Sequence, residues 1–189
     1  MDCIDFLPGT AWPKAYDDLV RDSYSGSIQR VDENNMNLGD LLAKDGIIPA
    51  LKAQDKKQAL QELANRAAAT TGVSAHDIFN ALLQRERLSS TSLGRGIAIP
   101  HIKLPDAKSI TCYFARLERP ISFDSPDGEH VDLLFFLLAP EHAGGDHLKA
   151  LARISRLVRD PATLEHLRSA KDVEALKRVL TAPLTSHAA

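Results

Sequence analysis

From Asn37 onward the apolar residues recur with spacings that alternate between strand-like and helix-like periods. Ile47 to Leu51 is a short apolar run and predicts a strand. Asp55 with Gln58 three residues on has the form of a capping box and predicts a helix to about Thr70, stopped by Gly72. Leu60, Leu63, Ala64 and Ala67 share one face of it. Ser74 with Asp77 repeats the start signal, and a second helix is expected to about Arg87, burying Ile78, Leu82 and either Phe79 or Leu83.

A loop rich in Ser, Thr and Gly follows, Ser89 to Gly96, and then Ile97-Ala98-Ile99-Pro100-His101. Ile110 to Leu117 reads as a strand, and Ser125-Pro126-Asp127-Gly128 as a β-turn. Val131 to Ala139 is almost continuously apolar, as expected of a central strand covered on both faces. Gly144-Gly145-Asp146 opens a helix to about Arg159, with Leu148, Leu151, Ala152, Ile154 and Val158 turned inward. Asp160-Pro161 caps the next helix with proline at its first position, and Asp172 caps the last, which ends before Pro183. The interleaving predicts an α/β domain over residues 37–182, a mixed β-sheet flanked by helices on both faces. Few strands and uneven connections argue against a regular doubly wound sheet. Residues 183–189 read as a loose tail.

Residues 1–36 follow no such pattern. They contain Trp12, the only tryptophan, and Tyr16 and Tyr24, two of the three tyrosines, with seven acidic residues against three basic. Pro8, Gly9, Pro13 and Gly26 interrupt any period. The segment is expected to be a poorly ordered N-terminal extension. Met36 at its end is a candidate for the true start of translation.

Composition narrows the function classes. Hydrophobic residues make up 44% and charged residues 25%, enough for a core without disulfides or metal. A formal net charge of −2 gives no broad basic field, which disfavours nucleic acid as partner. Cys3 and Cys112 lie far apart, so a reduced, cytoplasmic setting is expected. No apolar run reaches membrane-spanning length, and no signal peptide is recognisable.

The most unusual segment is Gly94-Arg95-Gly96-Ile97-Ala98-Ile99-Pro100-His101. Two glycines permit tight turning. A buried run follows, and proline fixes the backbone directly before a histidine, here placed at the end of a strand. A ring held in this way suits a nucleophile: one nitrogen pinned, the other aimed outward. The glycines do not complete a dinucleotide fingerprint, and no Walker-type Gly-Lys-Ser/Thr occurs.

Gly96 to His101, preceded by Arg85-Glu86-Arg87-Leu88 and Ser90-Thr91, resembles the active-site stretch of enzyme IIA domains of the mannitol/fructose class, in the phosphoenolpyruvate-dependent phosphotransferase system. The nitrogen-regulatory type is the most similar. The resemblance extends through Pro120-Ile121-Ser122-Phe123-Asp124, Val131-Asp132-Leu133-Leu134-Phe135 and His147-Leu148-x-x-Leu151, and spans roughly residues 37–180. It implies a phosphoryl acceptor at His101, charged on Nε2 by a small histidine-containing phosphocarrier protein, with His147 stabilising the phosphoryl group. It implies regulation of target proteins, with potassium transporters and sensor kinases as candidates. The alternative is a sugar-specific enzyme IIA that passes phosphate to a IIB domain for fructose- or mannitol-type uptake.

The resemblance also matches Arg85 to an arginine just upstream of the active-site loop, with Arg87 and Arg95 as other sources of positive charge. Thr91 and Ser92 are candidate hydroxyl donors to phosphate, and Lys103 a candidate for steering an anionic partner. His147 lies in the first turn of a predicted helix, where free N–H groups and the positive dipole end favour a dianion. One departure stands out: the family reads Pro-His-Gly-Lys where this chain has Pro100-His101-Ile102-Lys103. If that glycine uses positive φ, the β-branched Ile102 requires a different backbone; otherwise it adds an apolar rim. No cofactor or metal is expected, because His142 and His147 lack a third ligand at a recognisable spacing.

Overall fold

The structure, a computed structural model, describes residues 37–183. The proposed extension with Met36, and the tail beyond Pro183, lie outside the described residues. The chain enters through one helical turn, α1 (Leu38–Leu41), capped by the Asn37 side chain, which accepts the Gly39 N–H at 3.0 Å. It continues directly into β1 (Leu42–Leu51), which starts earlier than the predicted Ile47. Its pairing jumps between Leu42 and Ile47, and Asp45 there has φ 58°. Such an irregularity erases the two-residue alternation by which a strand is read from sequence.

Two helices follow as their caps predict. In α2 (Lys56–Thr71) the Asp55 carboxylate accepts the Gln58 N–H at 2.7 Å, and Gly72 closes the helix at φ 75°. That left-handed conformation is the usual reason for glycine at this position. In α3 (Ala75–Leu88) the Ser74 hydroxyl caps Asp77. The segment expected to be a loop then forms β2 (Ser92–Gly94), which pairs antiparallel with β3 (Ile97–Ala98), and β4 (His101–Leu104) follows. Next come β5 (Thr111–Ile121) and β6 (Val131–Pro140), joined through the predicted turn, in which Gly128 N–H donates to the Ser125 carbonyl. A 3-10 turn leads into α4 (Gly144–Leu157), then α5 (Pro161–Ser169) and α6 (Val173–Thr181), the last two capped by Asp160 and Asp172.

The six strands form one mixed sheet in the order β1-β5-β6-β3-β2, with β4 also on β6. β5 runs parallel to β1 and antiparallel to β6, whereas β3 and β4 run parallel to β6. β6 is therefore central and sorts its apolar side chains alternately to the two faces. Leu134, Phe136 and Leu138 pack with α2 and α3; Leu133, Phe135 and Leu137 pack with α1, α4, α5 and α6. All six are fully buried.

α4 buries the predicted Ile154 and Val158, but the rest of its inward face differs from the prediction. Its buried residues are His147, Ala150, Ile154, Ser155 and Leu157, with Val158 just beyond, while Leu148, Leu151 and Ala152 are only partly buried. The helix is turned so that a histidine occupies the core-facing stripe, which an apolar pattern alone does not reveal.

Arg116 of β5 ties the sheet to the end of α5. Its Nε donates to the Pro49 carbonyl at 3.1 Å, and its Nη1 lies 3.0, 2.8 and 2.7 Å from the carbonyls of Leu167, Arg168 and Ala170. The last turn of any helix leaves such acceptors without helical partners. Arg116→Met keeps much of the volume and removes the donors. It is expected to lower stability by about 2 kcal/mol, seen as a reduced urea midpoint at unchanged slope; an unaltered midpoint would show that these bonds contribute nothing net.

Candidate functional site

β3 and β4 lie along β6 in one continuous register: Ile97 opposite Leu133, Ala98 opposite Leu134, then His101 opposite Leu137 and Ile102 opposite Leu138. Ile99 and Pro100 interrupt them. Proline has no N–H to give to β6, and the Ile99 N–H, which faces the other way, donates to the Thr91 carbonyl at 3.0 Å beside β2. The chain stays attached to β6 through Leu137 N–H, which donates to the Pro100 carbonyl at 2.9 Å. His101 thus begins β4; it does not end a strand as the sequence suggested.

The Ile99 carbonyl, also turned away from β6 and not met by the Thr91 N–H, which bonds Glu86, faces the imidazole of His101, with Nδ1 at 2.8 Å. A carbonyl only accepts, so Nδ1 carries the proton and Nε2 keeps its lone pair. Arg85 agrees with this assignment, since its Nε donates toward Nε2 at 3.3 Å. Burial lowers the pKa of His101 to about 4; the Ile99 bond opposes that shift, and the charges of Arg85 and Lys103 add to it. At neutral pH the ring is uncharged and Nε2 is nucleophilic.

His147 approaches from α4, its ring centroid 5.7 Å from that of His101. It is 5% exposed, and its Nε2 has no hydrogen-bond partner among the described residues. Burial, followed by the neighbouring His101 and Lys103, lowers its pKa to about 4. A buried polar atom without a protein partner is open to a hydrogen bond from water or from a bound group. The residue lies in the first turn of α4, beside free N–H groups and the positive end of the helix dipole.

Arg85 is braced by its Nη1, which donates to the Ser89 carbonyl at 3.0 Å and to the Ser89 hydroxyl at 3.3 Å. Together these groups border a cleft of about 550 Å³. Ala81, Gln84, Arg85 and Leu88 of α3 form one wall; His101, Ile102 and Lys103 of β4 and His147 of α4 form the rest. Gln84 and Leu88 were not singled out from sequence. The signal was there: with Ala81 and Arg85 they make a stripe at helical spacing. Leu88, at 83% exposed, is its outer end.

Other candidates lie elsewhere. The Thr91 hydroxyl and N–H both bind the Glu86 carboxylate. The Ser92 hydroxyl donates to the Ile97 carbonyl at 3.0 Å and lies 2.8 Å from that of Ser125. Arg95 has φ 57°, donates its N–H to Asp127 at 2.7 Å, and sits in the turn between β2 and β3, outside the lining of the cleft. Arg87 is exposed, and Lys103 is exposed on the rim of the cleft. Ile102 is in extended strand, outside the positive-φ residues, and is 5% exposed within the core against α2 and α3. This backbone needs no glycine. Cys112 is fully buried on β5, its thiol pushed up to about 12 by burial. Among the described residues no three His, Cys, Asp or Glu side chains converge as a metal site, and no helix is long and apolar enough to cross a membrane.

Residues 40–182 match the family model described as phosphoenolpyruvate-dependent sugar phosphotransferase system, EIIA 2. A nitrogen regulatory protein of Bradyrhizobium diazoefficiens is 55% identical over 148 residues, 78% of this chain and 97% of its own. The crystal structure of nitrogen regulatory protein IIA-Ntr from Neisseria meningitidis superposes with a TM-score of 0.73 at 34% identity, covering 76% of this chain and 99% of that one. IIA mannitol from Escherichia coli shares the fold, with a TM-score of 0.61 at 20% identity over 81% of this chain and 99% of that one.

The two depressed imidazoles make stability depend on pH. Both titrate near 4 when folded, and at about 6.5 when unfolded. Between these values the unfolded chain binds more protons, so stability is full above about pH 6.5 and falls as pH drops toward 4. Each ring contributes a slope of up to about 1.4 kcal/mol per pH unit. Urea unfolding across this window is expected to show a shallower fall for His147→Gln than for the unsubstituted protein; parallel profiles would contradict the burial of His147 as a neutral ring.

Proposed function

Because the chain belongs to the EIIA 2 family of the phosphoenolpyruvate-dependent sugar phosphotransferase system, we propose that His101 accepts a phosphoryl group on Nε2 from a histidine-containing phosphocarrier protein, and that the phosphorylation state controls target proteins. The observation that carries this reading is the ring of His101, pinned through Nδ1 to Ile99 with Nε2 open to Arg85 and the cleft.

In the step, the Nε2 lone pair attacks phosphorus while the bond from phosphorus to the donor's imidazole nitrogen breaks, and its electron pair returns to that nitrogen. The positive charge gained by the ring of His101 rests on Nδ1–H, against the Ile99 carbonyl. Arg85 shifts from the lone pair to a phosphoryl oxygen, as expected where transfer is chiefly positioning and charge stabilisation. His147 meets the group from the other side with the nitrogen that lacks a partner. Lys103 adds positive charge at the rim.

A regulatory output, and not sugar uptake, is favoured by the relatives. The Bradyrhizobium diazoefficiens protein and the Neisseria meningitidis structure both carry the nitrogen-regulatory name and are covered almost end to end. The targets suggested by that class, potassium transport or a sensor kinase, are proteins whose attachment would differ between the two forms.

Intact mass after incubation with phosphoenolpyruvate and the general phosphotransferase components tests the reading. One acid-labile phosphoryl group is expected, absent from His101→Ala, with Arg85→Gln slowed on the order of 10²-fold. Label retained in His101→Ala would overturn it. For the output, His101→Asp and His101→Ala are expected to capture different partners from native lysate; identical sets would count against a phosphorylation switch.

A further inference from the structure

The cleft residues are held by a second layer that begins at Glu86. This carboxylate lies one residue from Arg85, is 8% exposed, and is the one acidic side chain among the buried described residues. Lys56, at the start of α2, pairs with it at 2.8 Å. The same ammonium reaches Asp124 at 3.1 Å and sits over the Phe123 ring at 4.6 Å. Both Glu86 oxygens accept the Thr91 N–H, at 3.3 and 3.2 Å, and Oε1 also receives the Thr91 hydroxyl.

From Thr91 the bonds lead to the acceptor histidine. The Thr91 carbonyl takes the Ile99 N–H at 3.0 Å, and the Ile99 carbonyl takes Nδ1 of His101 at 2.8 Å. The residues between Glu86 and Thr91 also matter, since the Ser89 carbonyl braces the Arg85 guanidinium at 3.0 Å. Nothing in a solvated helix end requires a buried carboxylate with an ion-pair partner and a clasped loop. Removing such a carboxylate without replacement leaves Lys56 and the Thr91 donors to find water.

We propose that Glu86 is a positioning residue: through Lys56 and Thr91 it fixes the peptide of Ile99 that orients His101, and the Ser89 turn that holds Arg85. The proposal rests on the reading of His101 as phosphoryl acceptor. Glu86 touches neither ring nor phosphoryl group. It sets where Nε2 points and how far Arg85 stands from it, and errors of about 1 Å in such placement cost on the order of 10²-fold in rate.

The test uses Glu86→Gln, which keeps the volume and removes the charge. Thr91→Val keeps the Glu86–Lys56 pair and removes only the hydroxyl. Ring ¹⁵N signals of His101 report the tautomer without any phosphorylation, and single-turnover transfer from the phosphorylated carrier reports rate. Glu86→Gln is expected to give mixed His101 tautomers and a saturating rate lower by 10- to 100-fold, at unchanged half-saturating carrier concentration. Thr91→Val should shift both readouts the same way by less, and it decides the matter if Glu86→Gln does not fold. Unaltered tautomer and rate in a folded variant would overturn the proposal. If the unsubstituted protein accepts no phosphoryl group, the acceptor reading fails, and the tautomer measurement still judges Glu86.

Discussion

The site depends on the Ile99 carbonyl, which holds Nδ1 of His101. An ordinary strand beside β6 would spend its peptide groups on its neighbours. Here the ladder is interrupted between Ala98 and His101 while the register on either side is kept. The Ile99 peptide points away from β6: its N–H meets the Thr91 carbonyl, but the Thr91 N–H goes to Glu86, and the imidazole two residues on takes the carbonyl left open. A backbone acceptor is a stricter partner than a carboxylate or a hydroxyl, because it has no rotamers and cannot reverse its role. One bond thereby selects the tautomer, fixes the ring plane and leaves Nε2 with its lone pair.

The rest of the molecule keeps that bond dry and surrounds it with charge. Because β6 is covered on both faces, helices of two different layers reach the same strand end. α3, packed on one face, supplies Arg85; α4, packed on the other, supplies His147. The two groups are far apart in the chain, and neither helix alone could bracket the ring. Burial then does to both imidazoles what a nucleophile requires, holding them neutral. Their depressed basicity makes the folded state less tolerant of acid, a cost borne by stability for the sake of the site.

Much of this architecture was legible in the sequence where a rule of local chemistry applied. Asp55, Ser74, Asp160 and Asp172 announced helix starts, Gly72 a helix end, and Val131 to Ala139 a doubly covered strand. What was not legible depended on partners distant in the chain. The first half of β1 hides behind an irregular register, and β2 is a short strand only because β3 lies beside it. For α4 the reading found Ile154 and Val158 but missed His147 and Ser155, polar residues of the core stripe that apolar periodicity passes over. For the site, Pro100-His101 was visible, and the family resemblance drew attention to Arg85 and His147. Glu86 received no reading of its own, since only the structure brings Lys56 and Thr91 to it.

In the proposed transfer the Ile99–His101 bond dictates which nitrogen reacts. This is tested most directly by long-range ¹H–¹⁵N correlation spectra of the phosphorylated, histidine-labelled protein, in which coupling to phosphorus identifies the substituted nitrogen. A single species is expected, with phosphorus on Nε2 of His101 and the proton on Nδ1. Phosphorus on Nδ1, or a mixture of the two, would contradict it.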